Sequence, residues 1–184
     1  MDDPNKRLIL LLGGARAGKS SQALWLAEEN DRGSDGCVCF IATAQALDDD
    51  MAARINRHRS ERPSHWRTIE EPYELGDALR QASEADVVIV DCLTLFVSNW
   101  LLRESDEQQC DAALRRVIVD FLRTAQLQRQ TVICVSNEVG LGIVPETRLG
   151  RVFRDLLGRV NQKFAQVADE VYLIVAGLKA QLKP

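Results

Sequence analysis

Gly13-Gly14-Ala15-Arg16-Ala17-Gly18-Lys19-Ser20 decides the fold of this chain. The stretch fits G-x-x-x-x-G-K-[ST], and its flanks suit it: residues 6–12 are an aliphatic run that reads as a buried strand, and a helical pattern opens at Lys19. Glycines let the backbone turn tightly and aim its N–H groups at phosphate oxygens. The positive end of the new helix adds to that field. In such a loop Lys19 reaches the outer phosphates and Ser20 ligates Mg²⁺. Gly13, Gly14, Ala15, Arg16, Ala17 and Gly18 form the cradle, with Arg16 a candidate phosphate contact.

Outward from the loop, apolar runs at 38–42, 87–91, 131–136 and 171–176 read as strands, with a short one at 66–69. Helical patterns fill 19–30, 48–62, 75–85, 94–102, 111–126 and 149–168. Residues 103–109 read as a polar linker, and 171–176 as the last strand. Strands that are continuously apolar and alternate with helices predict an α/β fold: a mostly parallel sheet with helices on both faces. No repeat, low-complexity stretch or linker divides the chain, so one domain over 1–184 is expected.

Composition narrows the function classes. The 184 residues carry 23 basic and 27 acidic side chains, a formal net charge of −4. A dedicated nucleic-acid binder carries a basic excess, which is lacking. No apolar run approaches the roughly 18–20 residues of a membrane helix. The segment 1–7 is acidic and polar, without signal-peptide form. Five cysteines, at 37, 39, 92, 110 and 134, have no regular spacing. They predict a reducing cytoplasm rather than a disulfide framework, and the Cys37/Cys39 pair lacks the second pair a metal site needs.

Asp91 follows four aliphatics at the end of a strand, where a second Mg²⁺ contact is expected once the phosphate loop is present. The other reading is a cap for the next helix. The chain has two histidines, His58 and His65, and five arginines stand nearby at 54, 57, 59, 62 and 67. One reading is a solvated helix with internal pairs such as Arg57 with Glu61. The other is a cationic cradle for polyphosphate in which an imidazole attacks phosphorus. Composition does not choose between them. Asn137, Glu138 and Glu146 fall at a strand end and in its following loop, the edge where parallel sheets bind ligands; turn chemistry would place the same residues there.

Beyond the phosphate loop, several stretches carry a resemblance to a known family. They are Ile41-Ala42-Thr43-Ala44, Asp48-Asp49-Asp50-Met51-Ala52-Ala53-Arg54-Ile55 to His58, Arg62-Pro63, His65-Trp66, and Asp91-Cys92-Leu93-Thr94 with Asn99. Asn137-Glu138-Val139-Gly140-Leu141-Gly142-Ile143-Val144-Pro145-Glu146, Phe153-Arg154-Asp155, Gly158 to Gln162 and Ala176-Gly177 continue it, over residues 7–183. The chain resembles the bifunctional adenosylcobinamide kinases / adenosylcobinamide-phosphate guanylyltransferases of cobalamin biosynthesis. Ala17 departs from the serine usual there, at a position where the backbone does the binding.

The resemblance implies a RecA-like P-loop fold, a homotrimer and a corrinoid substrate. It implies phosphorylation of adenosylcobinamide from ATP or GTP, then transfer of GMP from GTP to the product through a guanylylated histidine. Matched by motif, that histidine is His58. Lys19 is the other catalytic residue, and Arg62 and Asp91 join the nucleotide site. Arg54, Asn99, Asn137, Glu138 and Glu146 are candidate substrate contacts, although Asn99 also suits a turn cap. Arg154 and Arg159 are open to phosphate contact or contact between subunits. His65, beside Pro63 and Trp66, suits a packing role. Competing expectations are a P-loop kinase of another small hydroxyl compound without a covalent histidine, and a nucleotide-binding switch.

Overall fold

Unbroken aliphatic runs make the centre of the sheet, because a strand covered on both faces has no side for polar residues. The computed structural model describes residues 6–30, 38–104 and 106–184. In chain order the elements are β1 (Leu8–Gly13), α1 (Lys19–Asn30), β2 (Val38–Ala42), α2 (Asp49–Ser60), β3 (Arg67–Glu70), α3 (Leu75–Gln81) and β4 (Val87–Asp91). Then come α4 (Leu93–Arg103), α5 (Glu107–Leu127), β5 (Thr131–Val135), α6 (Arg148–Val167), β6 (Glu170–Val175) and β7 (Leu178–Lys183).

The strand order is β3-β2-β4-β5-β1-β6-β7. All pairings among β1–β6 are parallel, and β7 pairs antiparallel with β6. β1, β2 and β5 are buried at every position. One face of the sheet packs under α3, α4, α5 and α6, where Phe96, Phe121 and Phe164 are fully buried. The other face carries α1 through Ala23, Leu26 and Ala27, joined by Trp66. The mostly parallel sheet with helices on both faces therefore stands, and its two faces are covered unequally. α2 buries no residue and belongs to neither core.

Several boundaries differ from the sequence reading. The chain does not end its sheet at 176: β7 adds a seventh, antiparallel strand after a two-residue turn, Ala176–Gly177. Both turn residues have positive φ, 52° and 80°, which suits the right-handed twist of a hairpin. The strand leaves no apolar signature in the sequence because it is exposed over most of its length, with no buried run to mark it. Part of the expected linker 103–109 is helix. Asp106 caps α5, accepting from the N–H groups of Gln108 and Gln109 at 2.9 and 3.0 Å, so the polar first turn is helix with its side chains in water. α2 stops at Ser60 rather than 62, since the residue before Pro63 is disfavoured in helical conformation. Asp48 is its cap, accepting from Met51 N at 2.7 Å. The buried Trp66 precedes β3 instead of opening it.

Cys39, Cys110 and Cys134 are buried in the larger core. Cys37 lies outside the described residues.

Candidate active site

The parallel strands bring three loops to one edge of the sheet: the phosphate loop after β1, the Asp91 end of β4, and the long loop after β5. Gly13 is where the strand must become the loop. Its φ is +152°, and a Cβ there would stand 2.3 Å from the Ile174 carbonyl oxygen of β6. Only glycine lets the loop turn against that strand. On its far side the loop touches the β6–β7 turn. Gly177 N–H donates to Ala17 O at 2.9 Å, and the Gln22 amide donates to Gly177 O at 3.3 Å. Arg16 is exposed at the loop tip with φ 58°.

Lys19 is 7% exposed, and its ammonium donates to the Gly14 carbonyl at 2.7 Å. Burial lowers its pKa; Cys92 and Asp91 oppose that shift, and Arg54 adds to it. Ser20 Oγ donates to Asp91 Oδ2 at 2.9 Å. A hydroxyl and a carboxylate this close are hard oxygen donors on one point, a set that fits Mg²⁺ with phosphate and water completing the shell. Among the described residues no cluster of three His, Cys, Asp or Glu side chains could hold a metal by itself. A magnesium ion brought by a nucleotide needs no such cluster.

The end of β4 is held by Thr43, which the sequence left without a role, and by Asn99, read there as a substrate contact or a turn cap. Thr43 Oγ1 donates to Cys92 O at 2.7 Å and accepts from Cys92 N at 2.9 Å. Asn99 donates its amide to Thr43 O at 2.7 Å and to Pro72 O at 3.3 Å. Its side chain thus braces the strand end that carries Asp91. Thr43 lies in one of the matched stretches, yet a threonine at a strand end signals nothing specific.

α2 stands over this edge through one stripe. Arg54, His58 and Arg62 are four residues apart, so they follow one side of the helix and the turn after it. Arg54 acts on Lys19 electrostatically. Arg62 lies over the Phe40 ring, its guanidinium carbon 3.4 Å from the ring centroid. Burial lowers the Arg62 pKa and Asp91 raises it. Arg54 therefore lies within electrostatic range of Lys19 and Arg62 within range of Asp91, and His58 lies between them in sequence. His58 Nδ1 is 3.5 Å from Glu61 Oε2. His65 is exposed and meets Trp66 edge to face, with centroids 6.5 Å apart.

The loop after β5 is pinned by its backbone. Asn137 N–H donates to Thr94 Oγ1 at 2.8 Å, and Asn137 O accepts from the Asn161 amide at 3.0 Å. Glu138 N–H donates to Gly13 O at 3.0 Å, while its carboxylate accepts from Gly140 N at 2.5 Å within its own loop. Glu146 is exposed, and its carbonyl accepts from Arg151 at 2.7 Å. Arg154 pairs with Asp155 at 3.0 Å and Arg159 with Asp111 of α5 at 3.3 Å. A groove of ≈ 220 Å³ between α5 and α6 shares no residue with the phosphate site.

Residues 9–182 match the family described as cobinamide kinase / cobinamide phosphate guanyltransferase. The chain belongs to that family. The bifunctional adenosylcobalamin biosynthesis protein CobU of Salmonella typhimurium is 47% identical over 186 residues, 96% of this chain and 99% of its own. Its namesake in Escherichia coli K12 is 42% identical over 185 residues, with the same shares covered. CobP of Pseudomonas aeruginosa, also named as a bifunctional adenosylcobalamin biosynthesis protein, is 45% identical over 95% of this chain and 96% of its own. The fold is the RecA-like P-loop fold. The flagellar accessory protein FlaH of Methanocaldococcus jannaschii superposes with a TM-score of 0.54 over 97% of this chain and 78% of its own. At 18% identity that likeness is one of fold alone. This chain is thus a cobinamide kinase / guanyltransferase family member built on one phosphate loop. Among the described residues no helix is long and apolar enough to cross a membrane.

Proposed function

We propose that the chain phosphorylates the hydroxyl of the aminopropanol arm of adenosylcobinamide and then converts the product to adenosylcobinamide-GDP through a covalent histidine. ATP or GTP serves the first step and GTP the second. In the first step the hydroxyl oxygen bonds to the γ-phosphorus. The bond from that phosphorus to the bridging oxygen breaks, the nucleoside diphosphate leaves, and the hydroxyl proton passes to water. Lys19 supplies positive charge beside the transferring group, and the loop amides hold the phosphates in place.

In the second step a ring nitrogen of His58 bonds to the α-phosphorus of GTP and pyrophosphate leaves. A phosphate oxygen of cobinamide phosphate then bonds to that phosphorus. The P–N bond breaks, and His58 is restored. Glu61, 3.5 Å from Nδ1, orients the ring so that Nε2 is the free nucleophile. Ser20 and Asp91 would hold Mg²⁺, which when bound neutralises phosphate charge. A single domain over 1–184, a homotrimer and a cytoplasmic setting belong to the same reading.

The observation that carries the proposal is the Arg54–His58–Arg62 stripe, with one arginine coupled to Lys19 and the other to Asp91. Cationic side chains of this stripe within electrostatic range of both Lys19 and Asp91 are what a phosphate-binding helix would present. The test is product analysis. Pyrophosphate release from GTP that depends on cobinamide phosphate is expected. Nucleoside diphosphate formation on cobinamide without any nucleotidyl transfer would leave a plain kinase. Nucleotide binding without turnover on any corrinoid would leave a switch.

A further inference from the structure

The loop from β5 to α6 starts between the two halves of the phosphate site. Its root is bonded on one side to Gly13 through Glu138 N, at 3.0 Å, and on the other to Thr94 through Asn137 N, at 2.8 Å. Thr94 lies three residues past Asp91. Beyond this root the loop reads Val139-Gly140-Leu141-Gly142-Ile143-Val144-Pro145, without a charged side chain. Leu141, Ile143 and Val144 are 84%, 96% and 60% exposed. Large aliphatics this bare, side by side, are costly in water and mark a contact surface.

The two rims of the site differ in kind. The α2 rim bears Arg54, Arg57, Arg59 and Arg62, which suits phosphate. On the β5–α6 rim the stretch 139–145, between Glu138 and Glu146, is apolar and uncharged, which suits a bulky, largely neutral body attached to the phosphate acceptor. A corrinoid has that form: its macrocycle is broad with apolar faces, and its hydroxyl sits at the end of a flexible arm. The arm can enter the cleft only if the macrocycle stays outside it, beside the transferring phosphate. The α5–α6 groove, at ≈ 220 Å³, is below the about 300–1,000 Å³ of small-ligand pockets, and a macrocycle needs more room.

We infer that the β5–α6 loop is the docking surface for the corrinoid macrocycle, with Leu141, Ile143 and Val144 as its specificity-determining contacts. The inference rests on the corrinoid reading given above. It assigns the two substrates to opposite rims: nucleotide under α2, macrocycle on the loop. Replacing these aliphatics should weaken corrinoid binding and leave nucleotide binding alone.

The experiment uses the full chain with Leu141→Ser and Ile143→Ser, singly and together. Leu127→Ser is the control, since Leu127 is 75% exposed at the opposite end of α5. Initial rates of cobinamide phosphorylation give KM and kcat at saturating nucleotide. Nucleotide titration gives Kd, and light scattering gives the assembly size. The expected result is a rise of about tenfold or more in corrinoid KM for the double variant, the scale of one well-buried aliphatic side chain, with nucleotide Kd and assembly size unchanged. Leu127→Ser should match wild type. Unchanged corrinoid KM in the double variant overturns the inference. So does a change in assembly size, which would make the loop a contact between copies of the chain. A wild-type protein that binds nucleotide but ignores cobinamide removes the corrinoid reading itself, a result distinct from an active wild type with unmoved variants.

Discussion

Gly177, in the turn between the last two strands, donates its backbone N–H to the carbonyl of Ala17 inside the phosphate loop at 2.9 Å. The C-terminal hairpin is therefore a support for the nucleotide site as well as an edge of the sheet. Gly177 has φ +80°, and a Cβ there would meet nothing within 4 Å. Gly177→Ala should thus act through conformation alone, at about 1–2 kcal/mol for a non-glycine residue in the left-handed region. We expect lower thermal stability together with weaker nucleotide binding, read by unfolding and nucleotide titration. Reduced stability with unaltered nucleotide Kd would confine the hairpin to a scaffolding role.

One phosphate loop in this chain leads to a prediction about Lys19. If both reactions use that loop, Lys19→Ala loses kinase and guanylyl transfer together. Removing one strong electrostatic donor at a site of developing charge costs about 3–4 kcal/mol of transition-state stabilisation. Separate assays of nucleoside diphosphate formation and GMP transfer make the comparison. Full GMP transfer by the variant at wild-type GTP affinity would show that the two steps do not share the loop.

Much of the fold was legible because its centre obeys one rule. β1, β2, β4 and β5 are largely apolar, buried runs, and a parallel sheet covered on both faces leaves them no other place. The phosphate loop declared itself through glycine spacing between a strand and a helix. What escaped was held by backbone. β7 has no buried face to give it a periodic signature. Thr43, Asn99 and Thr94 act through one or two hydrogen bonds each to main-chain atoms brought near only by folding. The sequence leaves Asn99 open as a ligand contact or a turn cap; in the fold its amide binds the Thr43 and Pro72 carbonyls. The α2 arginines were visible, but not which of them come within electrostatic range of Lys19 and Asp91, because that depends on how the helix is placed against the sheet.

The bond from Ser20 Oγ to Asp91 Oδ2 sets up a test of the metal site. Asp91→Asn keeps the size of the side chain and removes the charge that favours a divalent cation. Turnover should then need more Mg²⁺, while metal-free nucleotide binding changes less. Rate against Mg²⁺ concentration for wild type and variant makes the comparison. Superimposable curves would reduce Asp91 to support for the loop and the start of α4.

His58 lies between Arg54 and Arg62, which act electrostatically on Lys19 and with Asp91, while His65 packs against Trp66 outside that stripe. The proposed covalent step is therefore assigned to His58, which can be tested directly. Incubation with Mg²⁺ and GTP should add one GMP to the protein, seen by intact mass and mapped to the peptide carrying His58. The bond should be labile in acid and stable in alkali, because a phosphoramidate hydrolyses once its nitrogen is protonated. His58→Ala should abolish the adduct and guanylyl transfer. Kinase activity should partly survive, since phosphoryl transfer to a hydroxyl depends mainly on Lys19, Ser20 and placement of the substrate. His65→Ala should keep the adduct. Glu61→Gln should slow adduct formation without moving it if Glu61, 3.5 Å from Nδ1, acts as proposed by orienting the ring. An adduct kept by His58→Ala and lost by His65→Ala would transfer the role to His65. Normal GMP transfer with no adduct on either histidine would replace the covalent route with direct attack of cobinamide phosphate on GTP.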